Sequence, residues 1–219
     1  MGQYYLPVLE KDGEIKIFSL QGKMFKKTRD FDYYNGLKLM EHSYYRSPAM
    51  VATGHEIYKN PMKVYWIGDY ADDYIENHER YHESLPNYCL TLEKAMDIYE
   101  KTWKDDNKKE IDYAETFDVE FEKYKDFFED KFLINHTKDE YIDLSKYKGF
   151  SYTCRIHPLS LLTAIGNGLG GGDYYGKNEN LIGYWAGDII SLEDSDSFKN
   201  IKENNPLTDV TNELEFNED

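Results

Sequence analysis

His78-Glu79-Arg80-Tyr81-His82 spells H-E-x-x-H. On a helix this spacing sets two imidazoles one turn apart to hold a zinc ion, with the glutamate beside them as general base. The neighbours argue against that chemistry. Arg80 would put a cation beside a dication, and the surroundings "DDYIENHERYHESLP" are rich in charged and polar residues. A third ligand is required; Glu93 and Glu100 are candidates, but Pro86 ends the helix before either. With 6 His and 42 Asp plus Glu in the chain, a chance match is expected. The reading is a solvated acidic helix and no cofactor. A zinc hydrolase on His78, His82 and Glu79 is the minor alternative.

A repeated phrase is the better signal. Tyr65-Trp66-Ile67-Gly68-Asp69 and Tyr184-Trp185-Ala186-Gly187-Asp188 both spell Y-W-x-G-D. A glycine in a strand permits a bulge or a close backbone approach. An aspartate after it can bond the local backbone or project into a cleft. Between the phrases lies "GNGLGGGDYYG", residues 166–176. Its letters contain G-x-G-x-x-G, but it follows a helix-like segment and opens no helix, so it is not a dinucleotide fingerprint. Such a loop either cradles an anion with its N–H groups or fits a tight path. Candidate ligand-binding residues are therefore Trp66 and Asp69 from the first phrase and Trp185 and Asp188 from the second. Gly170, Gly171, Gly172 and Asp173 of the loop join them. Tryptophan plugs with aspartate-stabilised bends are the plainer expectation.

Other constellations are weaker. Ser43 and Ser47 near His42 and His55 lack the strand-turn context of a nucleophile elbow. Cys89 or Cys154 with His157 could pair as thiol and base, yet "FSYTCRI" reads as a buried apolar strand. Glu41, Asp69, Asp173 and Asp188 could converge as acids, bases or a metal cluster.

The elements that must position these residues read as an α+β domain. "YLPVLEKDGEIKIFSL" is a hairpin about Asp12-Gly13, and "FLINHTKDEYIDL" is a second hairpin. "NGLKLMEH" (35–42) is a short helix, and 63–71 a strand that breaks at Gly68. Leu92, Ala95, Met96, Tyr99 and Trp103 recur at helical spacing, as do Phe117, Phe121, Tyr124 and Phe128. These two amphipathic helices are the longer ones. Pro158 opens a helix over 157–165 that Gly166-Asn167-Gly168 stops, and 181–192 is a last strand interrupted at Gly187. The expected organisation is one domain, mainly antiparallel, over 1–192, with an acidic helical insertion at about 73–131. From Glu193 nine acids face two lysines, which predicts a flexible acidic tail over 193–219.

The whole chain has 219 residues and a net charge of -16. That sign disfavours direct nucleic-acid binding, which needs Lys and Arg to displace counterions. It suits a basic protein partner, steered at long range. With two distant cysteines, no disulfide framework is expected. No apolar run reaches a membrane span and no signal peptide is evident, so the expected place is the cytoplasm of a bacterium or phage host. Leu6 breaks the myristoylation pattern that Gly2 invites.

Taken jointly, "MGQYYLPVL", "NGLKLMEHS", "WIGDYAD", "FLINHTKDEYIDL", "HPLSLLTAIGNGLGGGDYYG" and "YWAGDIIS" resemble an uncharacterised family of bacterial and phage proteins. The resemblance covers most of 1–192 but not the acidic helical segment or the tail. It implies a shared fold unit and no mechanism. It also implies arginines where this chain has Leu169 and Ile189, a departure that argues against a site dependent on them. The function expected is a non-enzymatic acidic binding or inhibitor protein, phage- or prophage-borne, acting on a basic host protein such as a defence nuclease. The alternative is a nucleotide or small-molecule enzyme using the glycine loop with Asp69, Asp173 and Asp188.

Overall fold

A computed structural model describes residues 3–19, 47–76, 92–112, 127–149, 156–214 and 216. Strand β1 (Tyr5–Lys11) turns into β2 (Glu14–Ser19) through Asp12 and Gly13, both at positive φ, 52° and 83°. Two left-handed residues give the turn whose twist matches that of paired strands, so the Asp-Gly pair fixes the register at Lys11 opposite Glu14. Helix α1 (Pro48–Ile57) begins where Ser47 Oγ accepts the Met50 N–H at 3.1 Å. Strand β3 (Met62–Gly68) lies antiparallel to β1, with Tyr5 opposite Gly68. Val64 to Ile67 are all buried, so β3 is covered on both faces.

Helix α2 (Ala71–Glu76) follows, then α3 (Leu92–Tyr99), which runs into a π-helical turn at Glu100–Lys104. Ala95, Ile98 and Tyr99 are buried beneath α3, and Met96 and Trp103 pack beside them, as the spacing predicts. Strand β4 (Glu110–Asp112) pairs parallel to β2. The acidic segment is thus woven into the sheet, although the second aromatic stripe, the 35–42 helix and His78–His82 fall outside the described residues. Strands β5 (Phe132–Asn135) and β6 (Glu140–Asp143) form the second hairpin. Helix α4 (Pro158–Leu162) is capped by His157 Nδ1, which accepts the Leu159 N–H at 3.1 Å. It ends sooner than the sequence suggests: Ala164–Ile165 form β7, parallel to β3. Strand β8 (Ile189–Glu193), helix α5 (Ser195–Asn204) and β9 (Thr208–Asp209) complete the order.

The sheet runs β4-β2-β1-β3-β8-β5-β6-β9, with β7 also against β3. Its class is α+β; antiparallel pairs predominate and β2–β4, β3–β7 and β6–β9 are parallel. One face packs α1, α4, Trp66, Trp185 and Phe128, and the other packs α2 and α3 over Leu6, Val8, Tyr65 and Ile67. Among the described residues no helix is long and apolar enough to cross a membrane.

Two expectations need correction. Residues 181–188 are not a strand; they are a short 3-10 helix and turns, and β8 starts only at Ile189. Positive φ at Gly183 and Gly187, 80° and 79°, bends the chain there. The acidic tail, read as flexible, is instead structured as far as it is described. Asp194 Oδ1 accepts the Ser197 N–H at 2.9 Å and starts α5. Phe198 then stacks on Phe132 at 3.8 Å, and Val210, Leu214 and Phe216 enter the main core. A few well-spaced apolar residues outweigh the tail's mean polarity.

Candidate functional site

The first Y-W-x-G-D phrase is the end of β3. Trp66 is wholly buried at mid-sheet, and Gly68 carries the chain to Asp69. Asp69 and Tyr4 hold each other: the Asp69 N–H donates to the Tyr4 carbonyl, and the Tyr4 N–H donates to Asp69 Oδ1, both at 2.9 Å. Tyr99 donates its hydroxyl to the Asp69 carbonyl at 3.1 Å. Partial burial pushes the Asp69 carboxyl above its usual range, and repulsion from Asp173 adds to that.

Asp173 belongs to the glycine loop and explains it. Its Oδ2 accepts the N–H groups of Gly168, Leu169 and Gly170 at 2.7, 3.0 and 3.0 Å. Its Oδ1 accepts the Tyr5 hydroxyl at 3.0 Å. The loop is therefore an anion cradle filled by its own chain. Positive φ at Gly166, Gly168 and Gly172 permits the closure. Gly170 has a second reason to be glycine, since a Cβ there would stand 2.5 Å from Gln3 Cβ, and Gly171 accepts the Gln3 N–H at 3.1 Å. Burial outweighs these bonds and pushes the Asp173 carboxyl up, and it drives the Tyr5 phenol well above its ordinary value.

The second phrase does different work. The Trp185 N–H donates to the Leu162 carbonyl at 2.7 Å, and the Gly187 N–H to the Val64 carbonyl at 3.0 Å, so this phrase lies beside β3. The side chain of Trp185 is wholly buried and donates from Nε1 to Glu140 Oε2 at 2.8 Å; Tyr184 donates to Oε1 at 3.0 Å. Asp188 is fully buried. Its Oδ2 accepts Asn135 Nδ2 at 2.7 Å and Lys138 Nζ at 2.6 Å. Lys138 also lies over the Tyr184 ring, 4.9 Å from its centroid.

The three aspartates therefore do not share a cleft. Asp69 and Asp173 meet at one corner. Asp188 is bonded through its backbone beside Val64, five residues earlier in the strand direction and roughly 16 Å away by strand rise. Trp66 and Trp185 act as core plugs. Of the other candidates, Ser47 and His157 are helix caps, and His55 stacks on Phe127 at 4.1 Å. Among the described residues no group of three or more His, Cys, Asp or Glu side chains is gathered to hold a metal. His78, Glu79, His82, Cys89, Cys154, Glu41, His42 and Ser43 lie outside those residues.

Sequence reasoning passed over Gln3, Tyr5, Asn135, Lys138 and Glu140. The polar Gln3 ahead of an apolar strand was a visible oddity; the hairpin residues gave no signal, because their partners lie 44 to 53 positions away. Against family models, curated proteins and solved structures the chain finds no match.

Proposed function

We propose that this protein is a non-enzymatic acidic binding protein that docks on a basic protein partner, in the manner of a phage or prophage inhibitor of a host defence nuclease. The observation that carries the reading is the engagement of the candidate carboxylates by their own chain. Asp173 fills the loop that would otherwise receive an anion, and Asp188 neutralises Lys138 inside the fold. The chain as a whole carries a net charge of -16, which attracts cationic surfaces and repels phosphate. The alternative enzyme reading called for Asp69, Asp173 and Asp188 in one cleft, and Asp188 lies roughly 16 Å along the strand from Asp69.

The test is purification of the tagged full chain from host cells, followed by calorimetry with the purified companion protein. A stoichiometric basic partner is expected, with affinity falling about tenfold or more as salt screens the attraction between roughly 50 and 300 mM. An acidic partner, or binding indifferent to salt, overturns the proposal.

A further inference from the structure

We propose that the corner where Gln3, Asp69 and Asp173 meet binds a hard divalent cation, calcium in the first instance. Three stretches distant in sequence converge there: the entry to β1, the end of β3 and the glycine loop. The carboxamide of Gln3 is wholly buried, and among the described residues neither its Oε1 nor its Nε2 has a hydrogen-bond partner. Leaving such a group unmade costs about 1–3 kcal/mol, which calls for a ligand. The position of its nitrogen is marked by the glycines it touches. A Cβ on Gly68 would stand 2.1 Å from Nε2, and one on Gly166 2.6 Å from the same atom. The carboxamide thus lies against the residue that precedes Asp69 and the first glycine of the loop that closes on Asp173.

The donor set has the right chemistry. Asp173 Oδ2 is filled by three N–H groups, while among the described residues Oδ1 receives only the Tyr5 hydroxyl and keeps a lone pair for a metal. Asp69 spends Oδ1 on the Tyr4 N–H, and its other oxygen is the second ligand we assign. Gln3 Oε1 is the third. Two mutually repelling carboxylates and an amide oxygen make an all-oxygen, doubly negative set, which suits calcium with water completing the shell. It offers neither the nitrogen nor the sulfur that zinc prefers. Calcium tolerates an irregular shell; magnesium demands a near-ideal octahedron.

This site stands independently of the partner reading. The chain is stripped with chelator and titrated with calcium chloride by calorimetry and thermal unfolding, with magnesium chloride as the competing arm. One saturable site is expected, with a rise in Tm and weaker binding of magnesium. Asp69→Asn keeps the bond to Tyr4 and removes the charge; it should weaken calcium at least about tenfold, whereas Asp12→Asn should not. Amide NMR of the wild-type chain provides a check that needs no variant, with shifts confined to Gln3, Asp69 and residues 166–173. No saturable binding up to about 10 mM, beyond the weakest natural calcium modules, overturns the assignment. So do equal affinities in Asp69→Asn and wild type, tighter magnesium binding, or amide shifts centred elsewhere.

Discussion

The two Y-W-x-G-D phrases have the same spelling and opposite constructions. In the first, Trp66 sits inside a strand, and Gly68 is small because Gln3 needs the space a side chain would take. In the second, Trp185 sits in a turn, and Gly187 is glycine because φ is 79°. The aspartates differ just as much: Asp69 is half-buried and bonded to backbone, and Asp188 is fully buried and bonded to a lysine. One five-letter pattern is therefore compatible with two backbones. Only the segment lying across from it decides which is built.

The largest expected separation is between the aspartates. Asp188→Ala leaves Lys138 and Asn135 without their acceptor in a buried setting and should cost about 3 kcal/mol. Asp69→Ala loses one backbone bond and should cost about 1 kcal/mol. Urea unfolding measures both, and equal losses would erase the distinction. Next come the glycines. Gly187→Ala forces an alanine into the left-handed region, at about 1–2 kcal/mol. Gly68→Ala overpacks against Gln3, at about 1–3 kcal/mol. Adding Gln3→Ala should relieve the second loss and leave the first untouched; relief of both, or of neither, would break the argument.

A smaller effect distinguishes the tryptophans. Trp185→Phe removes the bond to Glu140 and should cost about 1.5 kcal/mol beyond its packing loss. A double-mutant cycle with Glu140→Gln should show coupling for Trp185 and none for Trp66. The smallest effect is in pH. Lys59, the Ser197 N–H and the Tyr58 hydroxyl hold the Asp194 carboxyl, just past β8, far below its ordinary value near 3.8. Its contribution is present above that value and is lost as pH falls through the depressed one. Asp69 and Asp173 are shifted upward, so their contribution is greatest in acid and fades as pH rises through their folded values. On acidification, hydrogen exchange should therefore quicken in α5 relative to the β3 end. A common slope at both places would contradict the assignment.

Local chemistry accounts for what the sequence made legible. Asp12-Gly13 dictates its own turn, and the stripe from Ala95 to Trp103 needs only helical spacing. The tail was not legible, because Phe198, Val210 and Phe216 are too sparse to signal a core until Phe132 and Tyr147 stand opposite them. The glycine loop was legible as a tight path but not as a clamp, since Asp173 serves three amides within its own loop. The burial of Asp188 depended on Lys138, fifty positions earlier, and no short-range pattern marks such a pair.

The position of β3 sets the tempo of self-assembly. Its neighbours on the sheet are β1, β7 and β8, drawn from both sides of it along the chain, and the Val64–Gly187 bond closes a loop of just over half the sequence. A denatured chain can regain its two hairpins within microseconds, but that closure must wait for a long conformational search. Refolding should show early local order and late burial of tryptophan, with the mid-sheet seam the last to shut.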